Sequence, residues 1–225
     1  MKKFLTIAAF MLFAITSAQA EMRIGATLKA GVFEVTEASE EFTGAHSSGA
    51  SPGDIKKNAS AEGDEAKGDF AYGSIFVEAS ANDKFAIGID YVPMALESET
   101  TENLQDQMGS NVTNKVQVDF EDLTTVYALL YATENLYLKA GYTEVKVTTN
   151  ENLATGGAYG NATLDGYTVG LGYNHNMDND MFVRVETSYM EIGGTTLTNT
   201  NDSTKKVTAD DITGYSASIS LGKSF

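Results

Sequence analysis

The chain has 225 residues and two histidines, His46 and His175, the side chains best suited to acid–base work near neutral pH. Catalysis by either would need a nucleophile or a carboxylate held at a fixed distance from the imidazole. His46 sits in AHSSGASPGD, a Ser/Gly-rich context that fixes no geometry, so a neighbouring serine is its one conceivable partner. His175 falls in a short connection between two alternating segments. The expectation is a protein that is not an enzyme. Acidic groups recur at Glu37/Glu40/Glu41, Glu62/Asp64/Glu65, Asp178/Asp180 and Asp210/Asp211, and oxygen ligands suit hard cations. None has the D-x-D-x-D-G spacing of a calcium loop, so they read as solvated charge, with no metal and no cofactor expected.

A different set of charges is placed by alternation. Lys29, Glu78, Asp90, Lys139, Arg184 and Glu186 each stand at every-second-residue spacing from small or aromatic neighbours, on the face opposite an apolar one. If that face is interior, the charges need partners, because a buried unpaired charge costs several kcal/mol. They are expected to pair structurally, with Arg184 meeting one or more of Glu78, Asp90 and Glu186. A narrow ion path lined by them is the competing reading.

The elements that must position these residues are strands. From Ile212 to Phe225, Tyr215, Ala217, Ile219, Leu221 and Phe225 point one way, and Gly214, Ser216, Ser218, Ser220, Gly222 and Ser224 the other. Seven further segments alternate similarly: Met22–Val35, Asp69–Ser80, Lys84–Leu96, Lys115–Ala132, Leu136–Thr148, Thr163–Asn174 and Met181–Ile192. Within the fourth, VYALLYA is apolar on both faces and leaves its sides unassigned. Pro93 falls near the far end of the third, where loss of one ladder donor is tolerable. Short connections (Ala81–Asp83, Thr133–Asn135, His175–Asp180) alternate with long polar ones (Thr36–Gly68, Glu97–Asn114, Thr149–Ala162, Gly193–Asp210). An even strand number with every second connection lengthened predicts an all-β, closed, antiparallel up-and-down barrel of eight strands that crosses a membrane. Tyr91, Tyr142, Tyr167, Tyr173, Tyr189, Tyr215, Phe85 and Phe225 are then expected to form the interfacial girdles, since the chain has no tryptophan.

Residues 1–20 read as an export signal: Lys2 and Lys3, the apolar run Phe4–Ile15, then Ala18-Gln19-Ala20 as a cleavage site, leaving 21–225 as one barrel domain. Net charge is −16, which excludes nucleic acid as a partner, and the absence of cysteine excludes disulfides.

With this signal, the eight segments and the terminal Ser224-Phe225, the chain resembles the small eight-stranded bacterial outer-membrane proteins of the OmpA/OmpX and opacity-protein type, without a periplasmic domain. The resemblance implies that Tyr215, Ile219, Leu221 and Phe225 form the address read by the barrel-assembly machinery. Lys223 departs from that pattern, where an apolar residue is usual. It further implies contact with outer-membrane lipids and lipopolysaccharide, a monomeric state, and a structural or surface-interaction role through four long extracellular loops toward an unidentified ligand. A narrow porin-like channel is the alternative, and a lipid-modifying enzyme of the outer membrane the second.

Overall fold

The computed structural model describes residues 21–35, 38–42, 54–58, 66–98, 100–107, 110–154 and 156–225. The expected export signal and His46 lie outside the described residues. Eight long strands form the wall: β1 (Glu21–Val35), β2 (Ala66–Asn82), β3 (Phe85–Tyr91), β4 (Ser110–Tyr131), β5 (Leu136–Leu153), β6 (Ala162–Asn176), β7 (Met181–Ile192) and β8 (Ile212–Ser224). Each pairs antiparallel with its sequence neighbours, and β8 returns to β1 to close the cylinder. The seam runs from Arg23↔Ser224 to Val35↔Ile212. Its short-turn end is fastened by Phe225 N–H donating to the Met22 carbonyl at 2.8 Å and Met22 N–H donating to the Phe225 carbonyl at 3.3 Å. Inside, the Thr27 and Ser220 hydroxyls meet across it at 2.8 Å. Closure removes both sheet edges, which is what lets strands exist in hydrocarbon.

The outer face is an apolar belt. Ile24, Leu28 and Val32 of β1, Ile75 and Val77 of β2, Leu136 and Leu138 of β5, Val169 and Leu171 of β6, and Ile219 and Leu221 of β8 are all exposed. In water such a surface would be a liability, whereas in lipid it is the required one. The doubly apolar VYALLYA stretch is resolved by burial: Leu130 faces out, while Tyr127, Leu129 and Tyr131 are buried inside. Aromatic residues rim the belt. Tyr189 packs at a tilt against Tyr167 and Tyr215, at 6.2 and 5.1 Å between centroids, and the Tyr167 and Tyr189 hydroxyls both donate to Glu191. That carboxylate stands above the rings and marks the polar edge of the belt.

Several boundaries differ from the sequence expectation. The third strand stops at Tyr91 rather than reaching Leu96. Beyond it Val92 N–H donates to the Leu123 carbonyl at 3.0 Å, so residue 92 turns its polar groups toward β4. Backbone groups alternate sides along a strand, so the next donor owed to β2 belongs to residue 93, and Pro93 has none. The β2–β3 ladder ends at Ile75↔Tyr91, and Leu96–Glu97 pair only with Asp119 and Phe120 of β4. The fourth and fifth strands overrun expectation, to Ser110 and Leu153, and Thr101–Gln107 extends their ladder as part of a hairpin. Two long connections also fold on each other: Thr195–Thr198, Lys205–Ala209, Ala38–Phe42 and Asp54–Asn58 form a separate four-stranded sheet at the long-connection end. Its central pairing, Ala38–Phe42 with Lys205–Ala209, joins segments far apart in sequence, which no local alternation encodes.

Candidate functional site

Glycine is the residue that shapes the lumen. Tyr137 of β5 lies flat across Gly172, its register partner on β6, where an added Cβ would come within 2.2 Å of the ring. Phe182 of β7 covers Gly222 of β8 in the same way, with 2.4 Å to an added Cβ. Phe76 over Gly25 and Tyr127 over Gly88 repeat the arrangement around the wall. Absence of a side chain on one strand thus admits a ring from the next, and the rings fill the middle of the cylinder. Tyr137, Phe182 and Leu129 are fully buried.

Charges complete the filling. Arg184 of β7 reaches across to Glu78 of β2 in a two-pronged pair, Nη1–Oε1 2.5 Å and Nη2–Oε2 2.8 Å, and Tyr127 donates to the same Glu78 Oε1 at 2.7 Å. The guanidinium is packed among the rings of Phe76, Tyr137 and Phe182, each 5.1–5.3 Å from Cζ. Lys139 Nζ lies 3.0 Å from Glu186 Oε1, and Tyr137 donates to Glu186 Oε2 at 2.7 Å. Asp90 accepts from Ser74 at 2.8 Å. Of the six charges assigned to this face, four form two ion pairs, Asp90 takes a hydroxyl, and Lys29 rests over the Tyr72 ring at 5.6 Å. Arg184 therefore meets Glu78 and neither Asp90 nor Glu186. Sequence reasoning passed over Arg23, whose Nη1 donates to Tyr131 at 2.8 Å, and over the inward tyrosines that act as donors. Parity alone would have found them.

Above this plug the lumen changes character. Here the inward residues are Tyr72, Leu123, Val145, Val147, Leu164 and Ile192, an apolar cluster. Of these, Tyr72, Leu123, Val145 and Ile192 line a chamber of about 390 Å³, together with Phe33, Phe70, Phe120, Met190 and Ile212. Burial of such surface away from water is favourable by roughly 25 cal/mol per Å². An apolar cavity of this size with few polar groups is a ligand-sized one. The lining also takes in Asp69–Tyr72 of β2 on one side and Met94–Ser98 on the other. These are the two margins left unladdered once Pro93 has ended the β2–β3 pairing. Among the described residues no strand pairs with the β3-side edge of β2 above Ile75. Among the described residues the wall beside the chamber is thus left unpaired between β2 and the segment after β3. Tyr91 at one margin is held by Asp122 Oδ1 at 3.1 Å, and Lys146 pairs with the other oxygen of Asp122. Asp122 sits on a bulge of β4 with φ 54°, above the girdle, and the ammonium and phenol that bind it hold its carboxyl below the usual carboxylate range.

Tyr215, Ile219, Leu221 and Phe225 all lie exposed on the lipid face, and the Lys223 ammonium sits 5.5 Å from the Phe225 ring centroid. His175 is exposed at the short-turn end, far from the chamber by topology.

A closed, plugged, eight-stranded barrel with an apolar belt is a transmembrane β-barrel. No protein-family model and no curated protein matches the sequence. Solved structures match the fold. The outer membrane protein OprG from Pseudomonas aeruginosa superposes with a TM-score of 0.56 at 10% identity, over 92% of this chain and 96% of that one. The attachment invasion locus protein Ail of Yersinia pestis, solved with the heparin analogue sucrose octasulfate, covers 92% of this chain and 99% of its own at 10% identity, TM-score 0.38. AlkL in DMPC bilayers covers 89% and 90% at 12% identity, TM-score 0.42. The chain has the fold of the small bacterial outer-membrane barrels, a likeness at these identities of fold alone and not of the OmpA/OmpX or opacity-protein type in particular.

Proposed function

We propose that the protein takes up small apolar molecules into the chamber at its outer end and passes them sideways through the wall into the outer leaflet of the bacterial outer membrane. The observation that carries this is the apolar chamber bounded below by the Arg184–Glu78 plug and at the side by the open edge of β2. A molecule in the chamber has no way down, because rings and paired charges fill the middle. It has a way out, because the ladder stops at Ile75. No bond is made or broken in this role, so the protein is not an enzyme, and an ion channel through the lumen is disfavoured by the same plug. In the membrane the lipid face meets phospholipid and lipopolysaccharide, the barrel is a monomer, and Phe225 with Tyr215, Ile219 and Leu221 serves as the assembly address.

The test is equilibrium dialysis of labelled 1-octanol against the full chain in nanodiscs, with empty nanodiscs subtracted. Saturable binding that Ala95→Trp abolishes by filling the opening supports the reading. Binding no greater than to empty discs rejects it.

A second reading, contact with an external partner through the loops, is favoured by one observation: the four-stranded sheet that two long connections build beyond the membrane. Deleting residues 195–209 would then abolish surface attachment while leaving octanol binding in place.

A further inference from the structure

We infer that the chamber's preferred occupant is an amphiphilic carboxylate: an apolar body in the chamber and an anionic head on Lys29. This rests on the chamber reading above and narrows it to a ligand class. Lys29 lies on β1 with its side chain inside, and the Tyr72 ring 5.6 Å from Nζ is the same ring that lines the chamber. Among the described residues no carboxylate lies within ion-pairing distance of it, and Glu186, which its charge reaches at longer range, is already paired with Lys139, whereas the lumen cations Arg23, Lys139 and Arg184 each hold a carboxylate directly. A half-buried ammonium without a direct ion pair is only partly compensated, and a ligand that supplies one gains that interaction on binding.

The space beneath Tyr72 is lined by Lys29, Lys139 and Asp90; Lys139 is taken by Glu186 and the Asp90 Oδ2 accepts from Ser74, which leaves Lys29 as the lining cation without a direct carboxylate. The hydroxyls that share the lining are already engaged, Thr168 donating to the Tyr189 carbonyl, Ser188 bonded to Ser216 and Thr125 to Thr143, so the head's charge partner is Lys29. That space measures about 10 Å³, room for a water and not for a head group. The head therefore docks at its mouth, between chamber and floor, and the flexible four-carbon stem of Lys29 lets the ammonium rise to meet it. Phe70, Tyr72 and Met190 line both spaces, so the two adjoin. A neutral hydrocarbon would fill the chamber and leave Lys29 as it is. An alkylammonium would place like charges together.

The experiment is the same dialysis on the full chain in nanodiscs with three probes of equal length: octanoate, 1-octanol and octylammonium. Octanoate is expected to bind about tenfold tighter than octanol, with octylammonium weakest, a difference of about 1.4 kcal/mol. In Lys29→Gln the octanoate-to-octanol ratio should fall to about one, and in Lys29→Arg it should be retained. Heat-modifiable migration of each variant reports that the barrel has formed. Equal binding of octanoate and octanol by the natural chain, tighter binding of octylammonium, or a ratio unmoved by Lys29→Gln each overturns the inference while leaving the chamber reading intact. Failure of all three probes to bind overturns both.

Discussion

Arg184 and Glu78 stand 106 residues apart in sequence and meet through two hydrogen bonds of 2.5 and 2.8 Å at the centre of the barrel, with Tyr127 as a third donor to the carboxylate. Removing one partner strands the other charge. Glu78→Leu or Arg184→Met alone should cost about 3–5 kcal/mol in urea unfolding of the refolded barrel. The double variant Glu78→Leu/Arg184→Met should cost much less than the sum, because no uncompensated charge remains. Additive losses in the double-mutant cycle would show that the pair is not coupled.

The plug has an electrical consequence. Planar bilayers containing the natural chain should show no resolved single-channel steps, since the lumen of an eight-stranded barrel is filled by its side chains and here by rings and paired charges. Tyr137→Ala with Phe182→Ala removes two fully buried rings and should introduce small, resolved currents. Steps in the natural chain at the same amplitude would place a pore where the filling is.

Gly172 should not tolerate a side chain. Gly172→Val sets branched carbon against the Tyr137 ring, where even a Cβ lies within 2.2 Å, and overpacking of this kind costs about 1–3 kcal/mol. Combining it with Tyr137→Leu should recover part of that loss in the same unfolding assay. Gly73, whose added Cβ meets nothing nearer than 3.8 Å, is the control: Gly73→Ala should be close to neutral.

Pro93 makes the side opening by withholding a donor. Pro93→Val restores an N–H at the position where β2 needs one, so the ladder should lengthen past Ile75↔Tyr91. The new amide at residue 93 should then be protected from exchange, and octanol binding should fall severalfold. An unprotected amide at 93 with unchanged binding would show that something else holds the margin apart.

Asp122 offers a pH prediction outside the membrane. Its folded pKa lies below the unfolded value of about 3.9 because Lys146 first, and Tyr91 second, bind the charged form. The contribution is therefore fully present above the unfolded value and disappears as pH falls through the lower folded one. Because the group is exposed and screened, it is worth well under about 1 kcal/mol. Carboxyl NMR titration should find its apparent pKa below that of unpaired aspartates in the chain, and Lys146→Met should raise it. An unshifted Asp122 would mean that the contact with Lys146 is not populated.

The wall was legible because period two is a property of each strand by itself. The lipid face of β8, the inward Arg184 and the short turns all follow from counting. What escaped was whatever depends on a partner strand. VYALLYA could not be oriented until Tyr127 was seen lying on Gly88. The third strand overran because Pro93 reads as tolerable until Val92 is seen to bond Leu123, which assigns the missing donor to β2. The chamber was hidden because Val145, Val147 and Leu164 share the parity of Lys139 and Thr168 lower down, so the inner face turns apolar only with height. The sheet of Ala38–Phe42 with Lys205–Ala209 joins the first and last long connections, and polar loop composition gives no sign of such a match.

The rings seated on glycines also settle a question that oil-and-water alternation leaves open. Sliding one strand by two positions keeps every apolar residue toward lipid, so the membrane alone cannot forbid it. Such a slip would bring a substituted position under Tyr137 or Phe182 and leave each glycine facing nothing. The seats act as keys cut for one alignment, and the cylinder that assembles is fixed in its stagger as well as in which side it shows to the bilayer.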